Sequence, residues 1–287
     1  MKRYPGPEAR EKKGWWLANR WLLLRRLCQL SVLILFLLGP WLGVWLAKGN
    51  LSSSKIMELL PMTDLLLFAQ LVLAHGVDVA QAVPGALVVL GLYLVLGGRF
   101  FCAWVCPINP VTDSAAWLRA RLGISWGWQG TRTMRQGMLV LVLLLAGATG
   151  MLVWEWVNPV AIAQRSILFG MTWGWLVMAA IFLFDLLISR HGWCGRLCPT
   201  GALYALLSPL ALLRVGAAHR ENCNDCMDCY LVCPEPQVID PALKGAKRGI
   251  GPTITAVQCT NCGRCIDVCP ESVYRFGFHL PNKSRVP

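Results

Sequence analysis

Four long apolar stretches constrain the fold of this chain more than any other feature. Each is about 20 residues long, the length that a helix needs to cross the hydrocarbon core of a bilayer. They cover residues 27–47, 79–98, 138–157 and 171–189. The composition agrees, because 56% of the 287 residues are apolar and only 15% are charged, unlike an ordinary soluble domain. The sequence therefore predicts four transmembrane helices. A shorter apolar run, 65–74, is expected to form an interfacial or re-entrant helix.

Basic residues are distributed unevenly between the two sides of these predicted spans. Of the 27 lysines and arginines, 24 lie before the first span, between the second and third, or after the fourth. Because loops rich in Lys and Arg stay in the cytoplasm, we predict a multi-pass protein of the bacterial inner membrane with both termini cytoplasmic. The net charge of +12 follows mainly from this sorting, so it does not indicate nucleic-acid binding.

Eight of the 13 cysteines lie in a short segment after the last span. They form two copies of the spacing C-x-x-C-x-x-C-x-x-x-C-P, at Cys223, Cys226, Cys229 and Cys233, and at Cys259, Cys262, Cys265 and Cys269. This spacing is typical of bacterial ferredoxins with two [4Fe–4S] clusters, in which the fourth cysteine of each copy ligates the other cluster. The predicted ligands are therefore the first three cysteines of each copy with the fourth of the other, Cys269 for cluster 1 and Cys233 for cluster 2.

Two other uses of clustered cysteines fit this pattern less well. Structural zinc favours paired C-x-x-C units, which leaves the third evenly spaced cysteine and the Cys-Pro pair of each copy unexplained. Disulfides are rare on the cytoplasmic side of a membrane. The sequence thus predicts two [4Fe–4S] clusters, whose ligation must supply much of the folding free energy of this small tail.

Two further cysteine pairs lie just beyond the second and fourth spans, each followed by a proline. They are Cys102 and Cys106 in "FCAWVCP", and Cys194 and Cys198 in "WCGRLCP". Residues four apart on a helix lie on one face, and the repeated arrangement predicts that the membrane part is a duplicated helix pair. Each helix is expected either to end at the second cysteine or to restart at the proline. The four thiols are interpreted as a redox relay or ligand set, with helix packing as the alternative.

Ionisable residues in or beside the predicted spans are candidates for a quinol site. Such a site needs an apolar slot with proton acceptors beside it. His75, Asp78 and Glu155 lie near the outer ends of spans, and Asp185 lies inside the fourth. The alternative for each is a hydrogen-bonded structural role.

These features predict an α-helical membrane protein with a bacterial-type two-cluster ferredoxin domain at its C-terminal end. The predicted parts are a basic cytoplasmic segment (1–26), a four-helix membrane domain of two parallel helix-pair repeats (27–198), a linker or interfacial helix (199–218) and the ferredoxin-type domain (219–287).

The chain as a whole resembles the NapH-type membrane ferredoxins of the bacterial periplasmic nitrate reductase system. The resemblance rests on the spans, both types of cysteine motif, and the stretches "EKKGWW", "LRRLCQ", "WVCPINPVTD", "WEWVNPV" and "FLFDLLISRHGWCG". It implies a quinol dehydrogenase component, which is a redox subunit rather than a stand-alone enzyme and takes electrons from ubiquinol. It also implies transfer towards a membrane tetrahaem cytochrome, a periplasmic ferredoxin-type partner and the nitrate reductase.

Two functions of other classes stay open. Similar cysteine motifs occur in accessory proteins of cytochrome oxidase assembly, where the thiol pairs would handle metal or disulfides. A scaffold whose clusters only hold the tail folded is the other alternative. The predicted clusters are cytoplasmic, whereas nitrate reduction in the resembled system is periplasmic, so either the thiol pairs or the quinone must carry electrons across.

Overall fold

The computed structural model describes residues 5–75, 79–128, 130–131 and 133–278. This part of the chain is mostly helical and divides into two compact units. Unit 1 comprises Met1–Leu27, Tyr93–Trp104 and Tyr204–Pro287, and unit 2 comprises Cys28–Leu92 and Val105–Leu203. Unit 1 therefore includes the N-terminal segment and a stretch after the second apolar region, in addition to the cysteine-rich tail.

Helices form most of both units. The α-helices are, in chain order, α1 Pro7–Leu17, α2 Arg20–Leu42, α3 Leu65–Leu73, α4 Val79–Leu96, α5 Phe100–Trp104, α6 Ile108–Arg121, α7 Thr133–Thr149, α8 Val153–Val157, α9 Pro159–Phe169, α10 Thr172–Leu183, α11 Pro199–Leu207, α12 Asp228–Val232, α13 Ile239–Lys244 and α14 Arg264–Val268. Two π-helical turns cover Phe184–Ile188 and Trp193–Leu197, and 3₁₀ turns cover Ser208–Leu210, Arg220–Asn222, Pro236–Val238 and Gly245–Arg248. The strands are β1 Ala47–Gly49, β2 Ser53–Ile56, β3 Leu60–Thr63, β4 Leu213–Gly216 and β5 Arg275–Phe278.

All four predicted spans coincide with helices, although their ends differ. Among the described residues, α2 and α4 are long and apolar enough to cross a membrane, whereas α7, and α10 with the π turn that follows it, are apolar but shorter. Helix α4 stops at Leu96 because Gly97 adopts a left-handed φ of 111°. Gly150, with a φ of 67°, ends α7 in the same way, so the third predicted span is divided between α7 and α8.

Unit 2 contains elements that the hydropathy pattern did not predict. Strands β1, β2 and β3 form a small antiparallel sheet. The next helix, α3, lies on the predicted short apolar run and is capped by Asp64, whose carboxylate accepts from Leu66 N and Leu67 N at 3.1 and 3.3 Å. Helix α9 is capped in the same manner by Asn158, whose side-chain oxygen accepts from Val160 N at 3.0 Å. The buried core of this unit contains Leu66 of α3, Leu139 and Val142 of α7, Trp154 of α8 and Ala202 of α11.

Unit 1 is built around the cysteine-rich tail. Strands β4 and β5 pair antiparallel, with Leu213 opposite Phe278 and Gly216 opposite Arg275. Its buried core includes Val215, Val238, Ile239, Ile254, Val273 and Tyr274, and six of the eight tail cysteines belong to this core or pack against it. The N-terminal segment joins this core by hydrogen bonds. Asp267 accepts from Trp21 N and Leu22 N at 3.2 and 3.0 Å, and Asp228 accepts from Gly6 N at 2.7 Å.

Candidate iron–sulfur sites

The eight cysteines of the tail line two separate cavities. The first cysteine cavity, with an empty volume of about 330 Å³, is lined by Cys223, Cys226, Cys229 and Cys269. The second cysteine cavity, of about 410 Å³, is lined by Cys233, Cys259, Cys262 and Cys265. Each cavity therefore gathers three cysteines of one motif and the fourth of the other, which is the exchange that the spacing predicts.

The two motif loops share one backbone conformation. In the first loop Asp225 and Met227 have left-handed φ angles of 54° and 64°, and in the second loop Asn261 and Gly263 have 48° and 72°. These positions are equivalent in the two motifs, before and after the middle cysteine. A short helix, α12 or α14, follows each loop and carries the third cysteine. The fourth cysteine then ends that helix with an extended backbone, directly before its proline.

The first cysteine cavity receives a hydrogen bond from a buried tyrosine. The Tyr274 hydroxyl donates to Cys229 Sγ at 3.5 Å, and Val273 N donates to Cys269 Sγ at 3.4 Å. Tyr274 was not predicted as a site residue. Its only signal in the sequence is its position five residues after Cys269, where the other motif has Val238 after Cys233.

The second cysteine cavity has arginines around it. Burial raises the pKa of Cys259 to about 11, while the charges of Arg99 and Arg214 oppose that shift. For Cys262, burial also raises the pKa, but the charges of Arg264 and Arg25, together with hydrogen bonds from Arg264 N and Thr260, lower it by more, so the pKa is lowered overall. At Cys226 of the first cavity the neighbouring side-chain charges act in the other direction. Burial raises the pKa of Cys226, a hydrogen bond from Asp228 N lowers it, and the carboxylates of Asp228 and Glu8 raise it.

The donor set fits iron–sulfur clusters. Burial raises the pKa of Cys229 to about 11 and raises the pKa of Cys233 and of Cys265, so these thiols need a bound cation to become thiolates at neutral pH. Within the described residues, no three His, Cys, Asp or Glu side chains stand together closely enough to hold a single metal ion. A cubane takes one cysteine for each of its four irons, so its ligands are spread further apart than those of one zinc ion.

The first Cys-x-x-x-Cys-Pro motif is divided between the two units. Cys102 is half-buried on α5 in unit 1, whereas Cys106 is buried in unit 2, in the turn before α6. Pro107 stands at the N-cap of α6. Of the two expected arrangements, the structure therefore has the one in which a helix restarts at the proline. The idea that the two cysteines share one face of a continuous helix is wrong for this motif, because α5 ends at Trp104.

The second motif lies within unit 2. Cys194 is in the π turn, with its Sγ 3.9 Å from Thr112 Oγ1. Cys198 has an extended backbone, and α11 restarts at Pro199 as in the first motif. Cys198 also packs against the core around Trp154. Convergence of all four thiols stays a prediction.

The candidate quinol residues have different environments. Asp185 is fully buried in a π turn, where its Oδ1 accepts from Trp193 N at 3.0 Å and its Oδ2 has no hydrogen-bond partner among the described residues. Glu155 is half-buried and accepts from Asn158 Nδ2 at 3.3 Å. His75 is exposed. Asp78 lies outside the described residues.

Two known families match the cysteine-containing regions of the chain. A family described as "4Fe-4S binding domain" matches residues 83–125 and again residues 171–216, so each match contains one Cys-x-x-x-Cys-Pro motif. A family described as "4Fe-4S dicluster domain" matches residues 222–273, which contain all eight cysteines of the tail. No solved structure matches the chain.

Related proteins cover nearly the whole chain. The ferredoxin-type protein NapH of Haemophilus influenzae is 49% identical over 275 residues, which is 96% of this chain and 95% of that protein. NapH of Escherichia coli is 46% identical, over 95% and 94% of the two chains. The methylamine utilization ferredoxin-type protein MauN of Methylorubrum extorquens is 45% identical, over 91% and 90%. On this similarity, the chain belongs to the NapH family of ferredoxin-type proteins.

Proposed function

We propose that this chain is a membrane-bound electron-transfer protein that holds two [4Fe–4S] clusters, one in each cysteine cavity. The observation that carries the proposal is that each cavity is lined by four cysteines drawn from both motifs. The first would be held by Cys223, Cys226, Cys229 and Cys269, and the second by Cys233, Cys259, Cys262 and Cys265. When bound, such clusters supply one-electron redox chemistry at potentials that the protein tunes through charge, hydrogen bonds and solvent exposure.

The membrane part of the proposal is four spanning helices with both termini in the cytoplasm. Apolar side chains in the middle of each of these helices are solvent-exposed, Ile34 by 53%, Leu87 by 61%, Leu144 by 66% and Leu176 by 69%. Helices that are apolar on their outward faces are expected where lipid replaces water as the solvent. Proteolysis of inside-out and right-side-out vesicles tests the orientation. We expect protease to cut the tail only in inside-out vesicles, and cleavage in right-side-out vesicles would reverse the topology.

The proposed donor is ubiquinol, with His75, Asp78, Glu155 and Asp185 as candidate proton acceptors. The proposed acceptors are a membrane tetrahaem cytochrome and a periplasmic ferredoxin-type partner of a nitrate reductase. Support comes from family membership, since the matching NapH proteins and this chain align over nearly their full lengths. MauN, named for methylamine utilization, is almost as similar. Both relatives are named ferredoxin-type proteins, so electron transfer is the part of the proposal that they have in common.

The four thiols Cys102, Cys106, Cys194 and Cys198 are proposed to act in the redox relay between the membrane part and the tail. The support is that one family description, "4Fe-4S binding domain", applies to both regions that contain them. Both pairs also end immediately before a helix that restarts at proline, so the two motifs share a backbone arrangement as well as a spacing.

Electron paramagnetic resonance of anaerobically prepared membranes tests the function. Titration with ubiquinol should produce signals of reduced clusters, and Cys102→Ser and Cys194→Ser should slow their appearance. Cys28→Ser is the matched control, because Cys28 lies on α2 and belongs to no motif. Signals that arise with dithionite but never with excess ubiquinol would contradict quinol as the donor. Metal analysis that finds zinc without iron would contradict the clusters.

The alternative of a metal-handling assembly factor predicts different chemistry at the same thiols. Copper bound in proportion to protein, and lost in Cys102→Ser and Cys194→Ser but not in Cys28→Ser, would favour it over the electron-transfer function. We expect no such copper.

A further inference from the structure

A buried arginine connects the first Cys-x-x-x-Cys-Pro segment to the second cysteine cavity. Arg99 is 3% exposed and lies three residues before Cys102, in the Tyr93–Trp104 part of unit 1. Its Nη1 donates to the carbonyl oxygen of Gln258 at 2.8 Å and lies 3.8 Å from Glu235 Oε1. Gln258 directly precedes Cys259, and Glu235 follows Cys233 by two residues. One guanidinium therefore bridges the two chain segments that supply the ligands of this cavity.

A tryptophan from the same segment holds the loop that carries these ligands. Trp104 Nε1 donates to the carbonyl oxygen of Asn261 at 3.0 Å, between Cys259 and Cys262. The Asn261 side chain in turn donates to the carbonyl oxygens of Leu96 and Leu213, at 3.1 and 2.7 Å. Gly97 makes this approach possible, because a Cβ at that position would stand 2.4 Å from Asn261 Nδ2.

The first cysteine cavity is held by different groups. Its polar contacts to ligand sulfurs come from the Tyr274 hydroxyl and the Val273 amide, which both belong to the tail itself. Its loop residues Asn224, Asp225 and Met227 are exposed, whereas Asn261 and Gly263 of the second loop are buried. The two cavities thus differ in which part of the chain supports them, although their ligand spacing is the same.

We propose that Arg99 and Trp104 are positioning residues for the cluster held in the second cysteine cavity, and that Arg99 keeps its reduction potential high. The inference rests on the proposed cluster ligation. Reduction adds one electron to the cluster, so a buried positive charge beside its ligands stabilises the reduced form and raises the potential. Tyr274 has the corresponding role at the first cavity, through its hydrogen bond to Cys229.

Potentiometric titration of the full-length protein in lipid nanodiscs, followed by electron paramagnetic resonance, tests the assignment. Arg99→Gln should shift the midpoint potential of one cluster to a more negative value and leave the other unchanged. Arg99→Lys, which keeps the charge, should restore most of the shift. Tyr274→Phe, which removes only the hydroxyl donor, should shift the other cluster. Both variants acting on the same cluster would overturn the proposal.

The control is Arg248→Gln, because Arg248 also pairs with a carboxylate, that of Asp240 at 3.4 Å, but lies on the exposed surface. It should shift neither potential. If Arg99→Gln does not fold, Trp104→Phe replaces it, since a six-membered aromatic ring is kept while the pyrrole ring with its Nε1 donor to Asn261 is lost. That variant should alter the spectrum of the cluster that Tyr274→Phe leaves unchanged, and an unaltered spectrum contradicts the inference.

A second readout is independent of any variant at the second cavity. A water-soluble dysprosium complex should speed the spin relaxation of the Tyr274-sensitive cluster more than that of the other, because the first loop is exposed. The opposite order would overturn the proposal. Iron content is measured first, so a protein without clusters contradicts the proposed function, whereas loaded clusters with unmoved potentials contradict only this inference.

Discussion

The loops 223–229 and 259–265 have the same cysteine spacing and the same pair of left-handed residues, yet their surroundings differ. At the position after the middle cysteine, the first loop has Met227, which is 45% exposed. The second has Gly263, where a Cβ would stand 2.8 Å from Trp21 Cγ. Ligand spacing therefore determines the shape of each loop, and the packing around it determines which side chains the loop tolerates and what charge it experiences.

The largest expected effect comes from removing a ligand from each loop. Cys262→Ser and Cys226→Ser should each remove one cluster, and because ligation supplies folding free energy to a small domain, both should destabilise the tail. We expect Cys262→Ser to cause the greater loss of protease resistance, because its loop also anchors Trp21 and Trp104. Iron content and limited proteolysis measure this. Greater damage from Cys226→Ser would reverse the comparison.

Gly263→Ala and Met227→Ala compare how tightly the two loops are packed at one equivalent position, the residue after the middle cysteine. Gly263→Ala adds strain at a φ of 72° and a clash with Trp21, so it should reduce the free energy of unfolding by about 2–4 kcal/mol. Met227→Ala removes a partly exposed side chain and should cost at most about 1 kcal/mol. Thermal unfolding of the loaded protein gives both values. Equal costs would show that the two loops are packed alike.

Asp267→Ala and Asp228→Ala compare how the N-terminal segment is held at each motif helix. Asp267 accepts from two amides in the first turn of α2, so it caps a helix that lies 246 positions earlier in the sequence. Asp267→Ala should therefore reduce the free energy of unfolding by about 1–2 kcal/mol. Asp228 accepts one hydrogen bond from this segment, from Gly6 N. Asp228→Ala should therefore reduce the free energy of unfolding by about 1 kcal/mol. Amide hydrogen exchange in residues 5–25 should rise more for Asp267→Ala, and the reverse order would contradict the assignment.

The smallest effect is expected at the exposed rim of the first loop. Lys244 Nζ lies 3.2 Å from Asp225 Oδ1, and the two side chains are 46% and 68% exposed. An ion pair in water contributes little, so Lys244→Ala should change the free energy of unfolding by about 0.5 kcal/mol or less, and less still at high salt. A larger decrease in the free energy of unfolding that does not depend on salt would mean that tertiary contacts hold this loop as firmly as the second one.

The sequence predicts local features of this protein better than distant ones. The cysteine spacing leads to the two sets of four that line the cavities, because a ligand loop is a local property of a few residues. The apolar windows locate α2, α4, α7 and α10, but not their ends, which depend on left-handed glycines such as Gly97 and Gly150. Hydropathy gives no sign of the sheet formed by β1–β3, whose strands are three or four residues long.

Contacts between distant segments could not be predicted from one sequence. Nothing local indicates that Arg99 reaches Gln258, that Trp104 reaches Asn261, or that the amides of α2 donate to Asp267. Each of these bonds joins residues more than 150 positions apart. They depend on tertiary packing, which also explains why the basic N-terminal segment, predicted as a separate part, lies in the same unit as the tail.

Strand β4 comes just before the two cysteine motifs and strand β5 just after them, and the two strands pair with each other. A domain whose two ends lie side by side can be inserted into a loop of another protein, because the two ends of that loop do not have to move apart. We therefore expect this tail to fold when it is inserted into a surface loop of another protein, provided that the recipient also supplies partners equivalent to Trp21, Arg99 and Trp104.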